Sequence, residues 1–399
     1  MKKSYILSLV IMLFFSMASQ GQWFIQNSPT MENLISVYFV SANAGMAVGD
    51  NGTMIRTYNG GINWDTIPSV TTSDLKSVVF PISSIGYAVG AEGVILKTLN
   101  AGFSWSLLNS VTTETLHSVW FITHDSGYIA GNNAAIYKTT DGGNSWVLAN
   151  NGTQSNQNVH DMYWFDSNHG FATISQGGLH GILHTTDGGS NWTKYDIGNN
   201  IPYCLHFTDQ NHGHAAGTSS YIWRTINGGI SWVAVDSNNV TTNYVYTGMH
   251  YSNFNTGYIV AYDGHIMKTT DGGTSYSPDI SVTSNHLMDV YFPIDGIGYI
   301  VGYNGIILKM GGGAGLDHFF SEKDVKISIY PNPANDYIDV EIAEGLVELG
   351  IFNLEGQELY RENLKQDKNR IDISELSPGM YVIRCRYKEK IYYKTLVKS

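Results

Sequence analysis

The hydrophobic pattern is a succession of short runs in which apolar and polar residues alternate, each bounded by Gly, Asn or Asp. A period of two over five or six residues predicts strands rather than helices. The runs also resemble one another: LISVYF (34–39), LKSVVF (75–80), LHSVWF (116–121) and LMDVYF (287–292). Each is followed by a Gly-led strand such as GYAVG (86–90), a third strand such as VILKT (94–98), and a closing aromatic residue. The closing positions are Trp64, Trp105, Trp146, Trp192, Trp232 and Tyr276, spaced 41, 41, 46, 40 and 44 residues apart. Four short strands per unit of about 40–45 residues is the signature of a β-propeller blade.

Turn chemistry supports this parse. Asn51-Gly52, Glu92-Gly93, Asp263-Gly264 and Asn304-Gly305 separate the second and third strands. Type I′ hairpins need positive φ at both central residues, and such pairs supply it. A seventh copy starts at Leu287 and stops at Met310 with no fourth strand. At the other end, Trp23 precedes Leu34 by the same 11 residues that separate Trp64 from Leu75. The N-terminal segment 22–28 is therefore expected to pair with 304–310 and close the last blade, leaving no open sheet edge. The fold expected is all-β: a seven-bladed β-propeller over 22–312, a Gly-rich linker over 313–326, and a small β-sandwich over 327–399.

The turn between the third and fourth strands carries a recurring octet: TYNGGINW (57–64), TLNAGFSW (98–105), TTDGGNSW (139–146), TTDGGSNW (185–192), TINGGISW (225–232) and TTDGGTSY (269–276). Asn59, Asn100, Asp141, Asp187, Asn227 and Asp271 hold the side chain that can accept turn N–H groups, the glycines permit positive φ, and the aromatic packs into the blade. The octet resembles the Asp-box, or BNR, repeat of sialidases, sortilin-like receptors, xyloglucanases and photosystem II assembly factors. The propeller as a whole most resembles the assembly-factor group. The resemblance implies a fold and says little about activity.

Composition narrows the function. The chain is 43% hydrophobic but only 14% charged, with 43 Gly and a net charge of −12. The apolar content excludes wholesale disorder, and the acidity argues against a nucleic-acid partner. Residues 1–21 place Lys2 and Lys3 before an apolar run and then small residues, the layout of a signal peptide, with cleavage expected near Gly21. No other segment reads as membrane-spanning. Two Cys, Cys204 and Cys385, cannot form a disulfide framework. The mature protein is expected to be exported, not integral to a membrane, and monomeric.

Catalytic motifs are sparse. A sialidase needs three arginines to clamp the substrate carboxylate, and residues 22–320 contain Arg56 and Arg224 alone. A glycosidase needs only two carboxylates, and no pair stands out; Asp161 and Asp289 fall on or near the repeat position of Ser36, Ser77 and Ser118. Seven of 13 His lie between 160 and 214. His180 with His184, or His212 with His214, could share a strand face, but the repeat alignment favours turn and core roles, so neither a metal nor a cofactor is expected. Tyr163, Trp164, Tyr203, Tyr221, Trp223, Tyr244, Tyr246 and Tyr251 make repeats 4 to 6 rich in aromatics, as strand core or as a surface for a sugar or protein. Repeat 4 carries an insertion around 175–181, where such loops often face a ligand.

One pattern spans every blade. Arg56, Lys97, Lys138, His184, Arg224, Lys268 and Lys309 all precede the box Thr or its equivalent, and six of the eight Lys and Arg of the propeller are among them. Two readings stand: each pairs with a group in or beside its own blade, or the ring collects an anionic ligand.

Residues 327–399 contain YPNPAND (330–336), IFNLEGQEL (351–359), LSPGMYVIR (376–384) and KTLVK (394–398). Four motifs in this order closely resemble the C-terminal sorting domain of type IX secretion cargo. The resemblance implies recognition by that export machinery and a secreted or cell-surface location. The function expected is an exported binding or interaction module for an extracellular protein or glycan; the alternative is a xyloglucanase-like glycan hydrolase.

Overall fold

A computed structural model of the chain describes residues 22–149, 157–176, 179–235, 243–311, 327–330, 334–353, 357–387 and 390–398. The leader 1–21 and the linker 313–326 lie outside the described residues. Seven four-stranded antiparallel sheets follow one another as blades. Blade 1 is Leu34–Phe39, Gly45–Gly49, Met54–Thr57 and Asp65–Thr66, running from the inner strand to the outer. The inner strands of neighbouring blades pack side by side around the axis, blade 7 against blade 1 included.

The ring closes as the spacing predicts. Trp23–Ile25 pairs antiparallel with Ile307–Met310, in the register Trp23↔Met310 and Ile25↔Leu308, and so supplies the fourth strand of blade 7. Trp23 is fully buried among Tyr258, Phe292, Leu308 and Met310. Its ring meets Tyr258 and Phe292 edge-on at 5.7 and 6.0 Å, a geometry that the ring quadrupoles favour.

The turns take the backbone that their sequences ask for. Asn51 and Gly52 have φ of 55° and 68°, and Glu92 and Gly93 have 57° and 71°. Both residues thus sit in the left-handed region, as a type I′ hairpin requires. The fourth strands differ from expectation in one detail. Apart from the closing strand they start one residue after the box aromatic, and most are two residues long. The aromatic points instead into the junction with the preceding blade: Trp64 packs with Phe39 of its own blade and with Tyr299 and Val301 of blade 7.

These hairpin turns lie where the inner strands begin, an end called here the upper face; the Asp-box turns lie at the opposite, lower face. Inner strands break register near their upper end, between Leu34 and Ser36 in blade 1 and at the equivalent site in each other blade. Beyond the propeller, Ile327–Tyr330, Tyr337–Phe352, Glu358–Asp372, Gly379–Tyr387 and Lys390–Lys398 form one five-stranded sheet. Its long strand Tyr337–Phe352 breaks register between Ile342 and Leu346, and Ile338, Val340, Val347, Leu349, Ile383 and Leu396 share one core across that break. Cys204 and Cys385 are both buried.

Candidate functional site in the axial channel and its mouth

The Asp boxes are closed hydrogen-bond circuits. In blade 3, Thr139 Oγ1 donates to Asp141 Oδ1 at 2.8 Å and accepts the Gly143 N–H at 2.9 Å. Asp141 Oδ1 in turn accepts the Ser145 N–H at 2.9 Å. The Ser145 hydroxyl, donating to Asp141 Oδ2, and after it these bonds hold the Asp141 carboxyl down at about 2. The same circuit recurs at Asn59, Asn100, Asp187, Asn227 and Asp271, where an amide oxygen serves as well as a carboxylate. The Thr at the head of the octet is as much a part of the device as the Asp.

The repeated basic residues pack on strand neighbours, and Arg56 and Lys97 reach the next blade. Lys97 pairs across strands with Tyr87, Lys138 with Tyr128, Lys268 with Tyr258 and Lys309 with Tyr299. Each ammonium sits 5.3–5.9 Å from the ring of its Tyr. Lys97 Nζ donates to the Gly142 carbonyl in the box of blade 3 at 2.7 Å, and the Tyr87 hydroxyl donates to that same carbonyl at 3.0 Å. The Tyr128 hydroxyl does likewise at Gly188 in blade 4. Arg56 is buried, with its guanidinium 3.7 Å from the Tyr58 ring and 3.2 Å from the Phe103 ring, donating to the Ala101 carbonyl at 3.4 Å. Burial lowers it to about 9 against the opposing pull of Asp65. His184 stacks on Phe171 at 4.2 Å, and burial lowers its pKa. Arg224 pairs across strands with buried His214.

Two rings of residues surround the axis, each with one member per blade, and a less regular set lines the upper mouth. At the register break stand Ser36, Ser77, Ser118, Asp161, Cys204, Gly248 and Asp289. The Ser36 hydroxyl accepts the Val78 N–H and Ser77 the Val119 N–H, each at 3.4 Å. Ser118 donates to Asp161 at 3.4 Å. Asp161 accepts Leu205 N–H at 3.0 Å, and Asp289 accepts Val37 N–H at 2.9 Å. Each bond passes to the following blade. Burial lifts Asp161 to about 7 and Asp289 to about 6, against the amide bonds that lower both.

Below this ring lie Tyr38, Val79, Trp120, Tyr163, His206, His250 and Tyr291. Trp120–Tyr163, Tyr163–His206, His206–His250, His250–Tyr291 and Tyr291–Tyr38 ring centroids are 4.6, 5.7, 4.6, 4.7 and 4.8 Å apart. The chain of aromatic contacts girdles the axis, broken only at Val79. Burial holds both imidazoles neutral, His250 down at about 4 and His206 well below its ordinary value.

The upper mouth has a different character. His117, His160 and Tyr203 follow one another on blades 3, 4 and 5, with centroids 5.9 and 4.8 Å apart. Tyr262, His286 and Tyr303 continue the series on blades 6 and 7, at 4.5 and 5.1 Å. The Tyr262 phenol is raised by burial and then by the neighbouring Tyr303 and Tyr203. All six are half-buried. On blades 1 and 2 the mouth is ionic instead: Lys76 Nζ bridges Asp50 at 3.2 Å and Asp74 at 3.1 Å. The insertion in repeat 4 lengthens the hairpin at this face. Gly170–Gln176 and Leu179–Thr185 pair out to Gln176↔Leu179, three pairs beyond the last pair of blade 3.

The other sequence candidates fall elsewhere. His169 and His212 close lower-face turns on Asp166 and Asp209 at 2.9 Å. His214 is buried beside Tyr251 and Tyr276, and His180 and His184 are four apart on one strand. No group of three or more His, Cys, Asp or Glu among the described residues has metal-binding geometry. Trp164, Trp223, Tyr246 and Tyr251 are core, Tyr163 is in the axial girdle, and Tyr221 is exposed. Reading by repeat found Asp161 and Asp289; it missed the arc at the mouth, whose members occupy three different repeat positions and meet only in the folded ring.

Seven blades, six of them with Asp-box turns, followed in sequence by a sheet domain, define an Asp-box β-propeller with an appended C-terminal domain. The sequence model of the photosynthesis system II assembly factor YCF48 family matches residues 15–112 and 104–234, and the chain belongs to that family. The model of the secretion system C-terminal sorting domain matches residues 328–399. That domain marks the chain for handling by the type IX machinery and export to the cell surface or beyond. Among solved structures, YCF48 bound to D1 peptide is similar at 20% identity and TM-score 0.62, over 73% of this chain and 97% of that one. YCF48 from Cyanidioschyzon merolae is similar at 19% identity and TM-score 0.62, over 72% and 98%. The GH74 enzyme of Niastella koreensis is similar at 13% identity and TM-score 0.61, over 93% and 66%. A search of curated proteins by sequence finds no match. Among the described residues no helix is long and apolar enough to cross a membrane.

Proposed function

We propose that the protein is an exported binding module that holds a polypeptide segment of a partner on the upper mouth of its propeller. The observation that carries this reading is the arc His117, His160, Tyr203, Tyr262, His286 and Tyr303. Half-buried Tyr and His rings offer apolar faces and polar tips without a long flexible chain to immobilise, which is why such residues anchor interfaces. A structure titled YCF48 bound to D1 peptide supports a peptide ligand for this fold. We read residues 1–21 as a cleaved leader and the mature chain as secreted or held at the cell surface.

The glycan-hydrolase alternative has less support. The two axial carboxylates, Asp161 and Asp289, are each occupied by backbone N–H groups on both oxygens. The basic ring is likewise read as a set of inter-blade staples and not as an anion site, because Lys97 and Arg56 already donate to carbonyls of the next blade.

The test is a peptide array probed with the full chain, followed by titration of the tightest peptide against Tyr262→Ala and Tyr303→Ala. Each variant is expected to weaken binding at least tenfold, about 1.4 kcal/mol. Unchanged affinity in both variants, or sugar release from glycans assayed in parallel, overturns the reading.

A further inference from the structure

Four blade junctions are sealed in one way. The residue three places past the closing aromatic is apolar: Ile67, Leu108, Ala149 and Val235. Each donates its N–H to the third strand of its own blade, to Met54, Ile95, Ile136 and Ile222 in turn. Each then joins the apolar cluster of the next box aromatic: Ile67 with Trp105, Leu108 with Trp146, Ala149 with Trp192 and Val235 with Tyr276. The longer blade 4 uses Ile197 with Trp232.

Two junctions depart from this rule: Asp279 stands three places past Tyr276 at the blade 6–blade 7 junction, and the junction where the ring closes is the other. Gln26 stands three places past Trp23 and donates its N–H to Ile307 at 2.8 Å, so it occupies the same structural position. Its side chain is polar. At this junction a cleft of ≈ 380 Å³ opens between the closing segment and the box of blade 1. Its walls include Asn27, Ser28, Asn59, Asn63, Trp64 and Asp65. The indole is not what distinguishes the junction: Trp105, Trp146 and Trp232 leave their N–H unpartnered as Trp64 does. What differs is the cover.

We propose that this cleft is a binding site for a neutral saccharide. Amide groups, a hydroxyl and one carboxylate, with Tyr58 beside them, match the many hydroxyls of a sugar. No cation lines the cleft, which disfavours an anionic ligand. The volume lies in the range of small-molecule sites, about 300–1,000 Å³. The proposal is independent of the polypeptide reading, since the cleft lies beside a lower-face box turn and the arc lies at the upper mouth.

Calorimetric titration of the full chain with maltotetraose, cellotetraose and mannotetraose tests it. At least one of the three is expected to bind, and Asn27→Ala and Asn63→Ala, which each remove an amide from the walls, are expected to weaken that binding about tenfold or more. Asn27 is exposed, so the thermal midpoint of Asn27→Ala is expected to equal that of the wild type. Asn63→Ala removes an exposed amide whose backbone alone serves the box. Absence of binding for all three saccharides, or wild-type affinity in either variant, overturns the proposal.

Discussion

Asp289 and Val37 are 252 positions apart in the chain and joined by a 2.9 Å hydrogen bond, in which the blade 7 carboxylate accepts the blade 1 amide. Its other oxygen accepts the Val290 N–H at 2.8 Å. Asp289→Ala leaves both amides without this acceptor, at about 1–3 kcal/mol for each unsatisfied group. Asp289→Asn keeps one acceptor and removes the cost of a buried charge. In urea denaturation at pH 7 the Ala variant is expected to lose roughly 3 kcal/mol and the Asn variant about 1 kcal/mol or less. A fully stable Ala variant would show that the ring bond contributes nothing.

Closure by the first strand gives a second expectation. Trp23 is fully buried at the blade 6–blade 7 junction. Trp23→Ala is expected to cost about 3–5 kcal/mol, the range for large aromatic truncation in a core. The check is the denaturation midpoint, read beside the exposed Phe24→Ala, which should change little.

Acidification should destabilise the fold. His160 and His214 are lowered to about 3 and His250 to about 4, with His117, His184 and His206 lowered as well, in each case chiefly by burial. Between those values and about 6.5 the unfolded chain binds more protons than the folded one, so stability falls as pH drops. Asp161 and Asp289 act in the opposite sense. Raised to about 7 and about 6, they are protonated in the fold before they are in the unfolded chain, and their contribution falls as pH rises from about 4. The imidazoles outnumber them, so the thermal midpoint is expected to drop from pH 6.5 to pH 4.5. In Asp161→Asn/Asp289→Asn the drop should steepen; a midpoint that rises on acidification would refute the assignment.

The basic ring separates stability from binding. Lys97→Gln/Lys138→Gln/Lys268→Gln is expected to lower the unfolding free energy by about 2 kcal/mol, chiefly through the lost Lys97–Gly142 hydrogen bond, read in urea, while leaving peptide affinity unchanged. Loss of peptide affinity in a folded triple variant would return the ring to the functional surface.

Much of the fold was legible because each blade repeats its local instructions. Asn51-Gly52 and Asn304-Gly305 specify the same turn, and the 11 residues from Trp23 to Leu34 located the missing strand. The resemblance of YPNPAND and its companion motifs located the sorting domain. The site was harder to read because repeats hide what differs between them. Tyr203 lies on an inner strand and Tyr262 in a hairpin turn, so no single alignment column contains both. Gln26 looked like an ordinary polar residue after a strand until the Ile67, Leu108 and Val235 clusters showed what its position usually does.

The strand that closes blade 7 also fixes an order of events. Trp23 opens the first strand of the ring to be made, and its partner Met310 is among the last of the ring. Until Met310 arrives, Trp23 has no sheet to join, and an exported chain that folds from its leading end must carry that indole uncovered. Blades 1 to 6 can each complete their four strands from local sequence, whereas blade 7 must wait for the two ends to meet. The ring therefore has a built-in final step of high sequence separation, the kind of contact that slows folding. A chain cut short anywhere before residue 310 would be left with an open seam and an exposed sheet edge, which makes it a substrate for aggregation or proteolysis.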